Sequence, residues 1–173
     1  KRSDAPSTVA AVPASDQSML HVHRSTLHEA PAPLRKKVLD AIARQTHVRL
    51  LLPAATGTLP GFYAEAIQAA LDQRRTALVL VPETGRVEAI HAFFATYWGA
   101  RCQMYHAGLS PADRQQAWTR IQAGEATVVS GTRSAVFAPL TNLGLIIVDQ
   151  EDHQAYKAEN VPRYDARVVA AGD

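Results

Sequence analysis

The chain has 173 residues, of which 47% are hydrophobic and 20% are charged, values that suit one globular domain with a tail and leave enough apolar surface for a core. Its net charge of +2 excludes a polycation that would hold nucleic acid by overall charge. The single cysteine, Cys102, excludes both an internal disulfide and a zinc site built on paired thiols.

No membrane-spanning segment is predicted, and a single cysteine does not require an oxidising compartment. No apolar run approaches the ~20 residues that span a bilayer, so no membrane partner is expected. One unpaired cysteine fits a reducing compartment, and we predict a cytoplasmic, nucleoid-associated protein.

Residues 1–33 are rich in Ala, Pro and Ser and have no sustained periodicity, which is typical of a linker or extension. The first 49 residues contain eight basic and four acidic residues, whereas the remainder contains ten basic and twelve acidic residues. The basic character therefore belongs to the entry segment, and residues 34–173 are predicted to form the folded lobe.

Helical and strand patterns alternate after Pro33. An apolar stripe at helical spacing predicts a helix over 34–45, and further helices are predicted over 62–73, 86–98 and 164–170, with one more beginning at Pro111 behind a Ser110 cap. Strands are predicted at 48–52, 76–81, 101–105, 127–130 and 145–148. Because these strands are continuous apolar runs, they predict a three-layer α/β fold with a central, mostly parallel sheet covered on both faces.

In such a sheet, function gathers in the loops at the carboxyl ends of the strands. The predicted loops of this kind are 53–61, 82–86, 106–110, 131–134 and 149–163. They are where catalytic or binding residues are expected.

Two of these loops carry a specific resemblance. Residues 124–137 read Gly-Glu-Ala-Thr-Val-Val-Ser-Gly-Thr-Arg-Ser-Ala-Val-Phe, and residues 142–149 read Asn-Leu-Gly-Leu-Ile-Ile-Val-Asp. Together with Tyr-Lys at 156–157 and Arg-Tyr-Asp-Ala-Arg at 163–167, they resemble the PriA family of replication-restart helicases. The resemblance covers roughly residues 34–173. It implies a RecA-like lobe with the P-loop NTPase fold, the first of the two motor lobes of a superfamily-two DNA translocase.

The phosphate-binding loop that this resemblance implies is degenerate. A phosphate cradle needs a Gly-rich turn, a Lys for the phosphates and a hydroxyl for magnesium. Only its beginning survives, as Thr56, Gly57 and Thr58, and no Lys occurs between Lys37 and Lys157. Pro60 also has no N–H to offer a phosphate oxygen.

The acidic motif at 149–152 reads Asp-Gln-Glu-Asp. The resemblance implies that Asp149 stands where the family holds magnesium and that Gln150 replaces the Glu that activates water. An amide cannot accept the proton that a general base must take, and Glu151 points elsewhere from its adjacent position. We therefore predict a vestigial nucleotide site that uses neither the ATP nor the magnesium of the family, and no catalytic residue.

The resemblance also implies contacts to DNA at the same edge of the sheet. The expected residues belong to the loops after three strands: Pro82, Glu83, Thr132, Arg133, Tyr156, Lys157, Arg163 and Tyr164. Hydroxyl and guanidinium groups suit phosphate oxygens, and Tyr can stack on a base. For Arg133, a structural ion pair with Asp149 or Glu151 is the competing interpretation.

The sequence thus predicts a lobe of a PriA-like protein that helps to bind abandoned replication forks and to assemble the primosome, without ATP hydrolysis. The expected partners are forked or single-stranded DNA, other domains of the same protein, single-strand binding protein, and the replicative helicase or its loader. Two alternatives stay open. One is an active ATP-dependent helicase lobe with unusual ligands, and the other is a protein-interaction module without DNA contacts.

Overall fold

The structure is a computed structural model that describes residues 32–45, 60–158 and 164–171. Helices and strands alternate along most of this part of the chain. The helices are α1 (Ala32–Ala43), α2 (Pro60–Asp72), α3 (Thr84–Trp98), α4 (Pro111–Gln122) and α5 (Ala166–Ala171). The strands are β1 (Thr76–Leu80), β2 (Cys102–Tyr105), β3 (Val128–Gly131) and β4 (Leu143–Val148). Of the extension predicted over 1–33, residues 1–31 lie outside the described residues, while Ala32 and Pro33 begin α1. The predicted strand over 48–52 also lies outside the described residues.

Within the described residues, the four strands form one sheet in the order β2-β3-β1-β4, and every neighbouring pair is parallel. This confirms the predicted α/β fold with a parallel sheet. Parallel strands need crossovers that return to the starting edge. Helices α3 and α4 supply the first two, and the segment with the 3₁₀ turn Arg133–Phe137 connects β3 to β4. As a result, the carboxyl ends of all four strands meet at one edge.

Both faces of the sheet are covered, which explains why the strands are continuously apolar. Ala77, Val79 and Val81 pack on one side, in a core that includes residues of α2 and α3. Leu78 and Leu80 pack on the other side with residues of α4 and α5. Alternate side chains of a strand point to opposite faces, and in β1 both sets are buried.

The ends of several elements differ by a few residues from the predicted ones. The Ser110 cap is confirmed, because its Oγ accepts a hydrogen bond from the Asp113 amide at 3.1 Å with Pro111 following. Strand β4 begins at Leu143, two residues earlier than predicted, because Leu143 pairs with Thr76 of β1. The next residue, Gly144, approaches Arg75 so closely that a Cβ would lie 2.5 Å from its side chain.

Two further observations concern the described helices and the single cysteine. None of the described helices combines the length and the apolar character needed to cross a membrane. Cys102 is buried, and burial raises the pKa of its thiol to about 11. The thiol is therefore a small apolar group in the core, as a lone strand cysteine usually is.

Candidate nucleotide and DNA site

Those predicted site residues that the structure describes after β1, β3 and β4 follow the carboxyl ends of neighbouring strands. The central strand β1 lies between β3 and β4, with Leu80 paired to Gly131 on one side and to Val148 on the other. The loops that follow these three strands begin at Val81, Thr132 and Asp149, so they are neighbours in space. A Cβ on Gly131 would lie 2.1 Å from the carbonyl oxygen of Tyr105, which explains the glycine at this position.

Asp149 is the most enclosed charged group of this edge, with 1% of its surface exposed. Its Oδ1 accepts a hydrogen bond from the Tyr63 hydroxyl at 2.8 Å, and its Oδ2 receives Nη2 of Arg86 at 2.8 Å. Its own amide donates to the Leu80 carbonyl at 2.9 Å. The carboxylate is thus bound by protein groups on both oxygens.

Arg86 and Tyr63 were not singled out from the sequence. Arg86 lies in the first turn of α3, and its side chain is only 13% exposed in the ion pair with Asp149. Tyr63 lies in the first turn of α2 and is 4% exposed. The sequence contained one indication for Arg86, since it lies just after β1, where residues come close to the loops that follow the neighbouring strands. The sequence did not specify which acidic residue Arg86 would pair with.

Magnesium does not fit this carboxylate. Mg²⁺ takes six oxygen ligands in near-ideal octahedral geometry at about 2.0–2.1 Å. Here the Tyr63 hydroxyl donates its proton toward Asp149, and a guanidinium lies on the other oxygen. Among the described residues, no three His, Cys, Asp or Glu side chains are grouped so that they could hold a metal ion.

The residues after Asp149 form a tight turn. Gln150 is exposed, and its φ of 50° is in the left-handed region, where a non-glycine residue is strained. Its carbonyl accepts a hydrogen bond from the His153 amide at 2.9 Å, which closes a tight turn. Glu151 is half-buried, and its carbonyl accepts Nη1 of Arg167 at 2.7 Å.

The predicted phosphate loop is only partly described. Thr56, Gly57 and Thr58 lie outside the described residues. The described chain resumes at Pro60, which is the first residue of α2, two residues earlier than predicted. Proline suits the first turn of a helix because its missing N–H would have no intrahelical partner. It also removes one of the amides that a helix N-terminus could direct at an anion.

The loop from Asp149 to Lys157 is held by two arginines through its backbone. Nη1 of Arg133 donates to the carbonyls of Ala155 at 3.2 Å and of Lys157 at 3.0 Å. Arg133 therefore bonds to carbonyl oxygens and forms no ion pair with Glu151 within the described chain. Arg167 supplies a third bond to the loop, at the Glu151 carbonyl described above.

Arg167 is itself held by Asp165. Its Nε donates to Oδ1 at 2.8 Å and its Nη2 to Oδ2 at 2.5 Å. These two charge-assisted bonds lower the pKa of Asp165 to about 2. The Lys157 and Asp165 backbones also form an isolated antiparallel bridge, so the loop is fastened to the start of α5.

Tyr156 belongs to this loop, and its side chain is fully buried, with 0% of its surface exposed. Its hydroxyl donates to the carbonyls of Leu80, at 3.0 Å, and of Asp149. Burial next to the Asp149 carboxylate raises the pKa of Tyr156. In this conformation its ring has no open face on which a base could stack, so its DNA contact stays a prediction that burial does not favour.

The other predicted DNA residues have varied surroundings. Glu83 is exposed, with its Oε1 3.7 Å from Nε2 of His153, whereas Pro82 is buried. Lys157 is exposed, and Thr132 is half-buried. Tyr164 is half-buried and makes an edge contact with Phe137, with ring centroids 4.9 Å apart. Arg163 lies outside the described residues.

A parallel sheet with helices on both faces, an acidic residue at the end of β4 and loops gathered at one edge define an α/β lobe of the RecA-like type. No model of a known protein family matches the chain. Individual proteins do match. It is 35% identical over 134 residues to Replication restart protein PriA of Bacillus subtilis (strain 168), a match that covers 77% of this chain and 17% of the relative.

Other bacterial proteins of the same name give similar matches. The chain is 36% identical over 138 residues to PriA of Treponema pallidum, covering 79% of this chain and 21% of the relative. It is 32% identical over 167 residues to PriA of Chlamydia trachomatis, a match that covers 90% of this chain and 22% of the relative. By sequence, the chain belongs with the PriA family of replication restart proteins. It spans about a fifth of the length of these relatives.

Proposed function

We propose that this chain is a lobe of a replication restart protein that helps to bind abandoned forks and to assemble the primosome, and that it does so without hydrolysing ATP. The similarity to PriA proteins supports the role in replication restart. The single observation that most supports the loss of hydrolysis is the enclosed Asp149, whose carboxylate is bound by Arg86 and Tyr63.

Two independent deficits support this loss. Gln150 has no basic oxygen that could take a proton from water, and a positioned general base contributes typically about 10²–10⁴-fold to rate. Charge stabilisation is also missing, because the segment between Lys37 and Lys157 has no lysine for a phosphate. Removing one preorganised stabilising group costs about 10²–10³ in turnover. If their effects are independent, the two deficits together lower turnover by about 10⁴–10⁷-fold.

The proposed DNA contacts rest on phosphate binding by Thr132, Arg133 and Lys157. Lys157 is exposed at the end of the loop from Asp149 to Lys157. Arg133 uses only Nη1 for its hydrogen bonds within the described residues, so its Nε and Nη2 are open to a phosphate. Thr132 lies directly before it, and its side chain does not cap the 3₁₀ turn Arg133–Phe137. Such binding is insensitive to sequence and sensitive to salt.

An ATPase assay tests the catalytic half of the proposal. We expect no magnesium-dependent hydrolysis above background, with or without single-stranded DNA, and no gain on Gln150→Glu because Asp149 stays bound to Arg86. DNA-stimulated turnover that Asp149→Ala abolishes would favour the active helicase lobe instead.

A salt titration of binding to a forked oligonucleotide tests the other half. We expect weak binding whose logarithm falls linearly with the logarithm of salt concentration. If no binding is detected at low salt, the protein-interaction module without DNA contacts becomes the better description of this lobe.

A further inference from the structure

The ion pair between Arg86 and Asp149 links two loops that are far apart in the chain. Asp149 follows β4, and Arg86 lies in the helix that follows β1. The carboxylate is 1% exposed and the guanidinium side chain 13% exposed. A charge so enclosed needs a partner, because an isolated buried charge is strongly unfavourable. The two side chains therefore compensate each other at the carboxyl edge of the sheet.

The position of Arg86 is not explained by its own helix. The first turn of a helix carries the positive end of the helix dipole, which favours acidic side chains and disfavours cations. No acidic side chain lies in the first turn of α3. The cation is held there by Asp149, with Nη2 2.8 Å from Oδ2. Removal of the carboxylate would take away this counter-charge and leave the largely enclosed guanidinium opposed by the dipole.

We propose that the guanidinium of Arg86 is a built-in cation that takes the place of a divalent metal beside Asp149, so that this edge of the lobe is closed and stable without any metal. This inference rests on the proposed loss of ATP hydrolysis and extends it to the state of the metal position. Because this cation is a side chain of α3, the positive charge is always present and does not depend on the metal concentration.

The guanidinium and a metal exclude each other at this carboxylate. A dication bound to either oxygen of Asp149 would lie within a few ångströms of the Arg86 charge, in an enclosed place where water screens poorly. Tyr63 adds to the exclusion, because its hydroxyl directs a proton at Oδ1. Metal binding would require the guanidinium to move away, whereas the Tyr63 hydroxyl would only have to rotate about its C–O bond to turn its proton aside.

The test compares five forms of the chain by thermal unfolding, in chelator and in a series of MnCl₂ concentrations. The forms are the unchanged chain, Arg86→Met, Asp149→Asn, the double variant Arg86→Met/Asp149→Asn, and the control Arg114→Met. Met keeps much of the length of Arg without its charge, and Asn keeps the shape of Asp without its charge. Arg114 is exposed on α4.

We expect no response to Mn²⁺ from the unchanged chain or from Arg114→Met. Arg86→Met should melt at a lower temperature in chelator, and Mn²⁺ at ten times its dissociation constant should raise that temperature by about 3–6 °C. The double variant should melt above Arg86→Met in chelator and should not respond to Mn²⁺, because no uncompensated charge is left.

Three results would overturn the proposal. One is a Mn²⁺ response of the unchanged chain that Asp149→Asn abolishes, since the metal would then enter beside the guanidinium. Another is the absence of any Mn²⁺ response from Arg86→Met. If Arg86→Met does not fold in chelator, refolding by Mn²⁺ and a folded double variant support the proposal, and an unfolded double variant contradicts it. Detection of ATP hydrolysis would remove the proposed function, whereas these metal responses would still decide the role of Arg86.

Discussion

Substitution of Arg133 by alanine should reduce stability and DNA binding together, because we propose that different atoms of this side chain serve the two roles. Nη1 donates to the carbonyls of Ala155 and Lys157, at 3.2 and 3.0 Å. A typical hydrogen bond contributes about 1 kcal/mol net, so loss of the pair costs about 2 kcal/mol. For a chain of this size, that lowers the melting temperature by about 4–8 °C.

The effect of Arg133→Ala on DNA is measured on the same variant. Loss of one phosphate contact should weaken binding evenly across sequences and make the salt slope shallower by about one unit. Arg133→Lys separates the two roles. Lysine keeps a charge for a phosphate but cannot offer the same fork of donors, so the salt slope should be retained while part of the stability is lost.

The matched control is Arg114→Ala, which removes an exposed arginine from α4. It should leave the melting temperature within about 1 °C of the unchanged chain, because surface substitutions away from special features have small effects. An unchanged melting temperature in Arg133→Ala would refute the clamp on the loop after β4. A lowered melting temperature with an unchanged salt slope would remove Arg133 from the DNA site and favour the protein-interaction module.

Two further predictions concern the loop from Asp149 to Lys157 and its attachment at Asp165. Tyr156→Phe removes the hydroxyl that bonds to two buried carbonyls, so the free energy of unfolding in denaturant should fall by about 1–3 kcal/mol. Tyr97→Phe, at an exposed ring, should have little effect, and equal losses in the two variants would contradict the buried role of the Tyr156 hydroxyl. Asp165 has a pKa lowered to about 2 by Arg167, so its contribution to stability is complete above its unfolded pKa of about 3.9 and is lost as the pH falls toward 2. Asp165→Asn should therefore flatten the fall in melting temperature between about pH 4 and pH 2, and an undiminished fall in this variant would exclude the pair as its source.

Much of the fold followed from local patterns. The alternation of apolar strands with amphipathic helices predicted a parallel sheet covered on both faces, and β1 is buried on both sides as expected. The Ser110 cap was also predictable, since capping depends on residues three positions apart. The change of Glu to Gln at 150 is visible directly in the chain, and so is the missing lysine.

The contacts of the site depended on the tertiary structure. Arg86 and Asp149 are 63 positions apart, and Tyr63 and Asp149 are 86 apart. No local pattern selects one acidic residue for an arginine among several at the same edge. For Arg133 the sequence left two interpretations open, a DNA phosphate contact and an ion pair with Asp149 or Glu151. In the structure its Nη1 bonds to two carbonyls, because the backbone of the loop after β4 passes within its reach.

The burial of Tyr156 shows the same division. An aromatic residue after an acidic motif can stack on a ligand or fill a core, and its residue type does not distinguish the two. The choice depends on what packs around it, here a buried cluster that includes Leu80, Ala135 and Ala166. Local sequence encodes which backbone conformations and which buried faces are favourable. The partner of each polar side chain is decided only when distant segments are brought together, since hydrogen bonds and ion pairs require specific distances and directions.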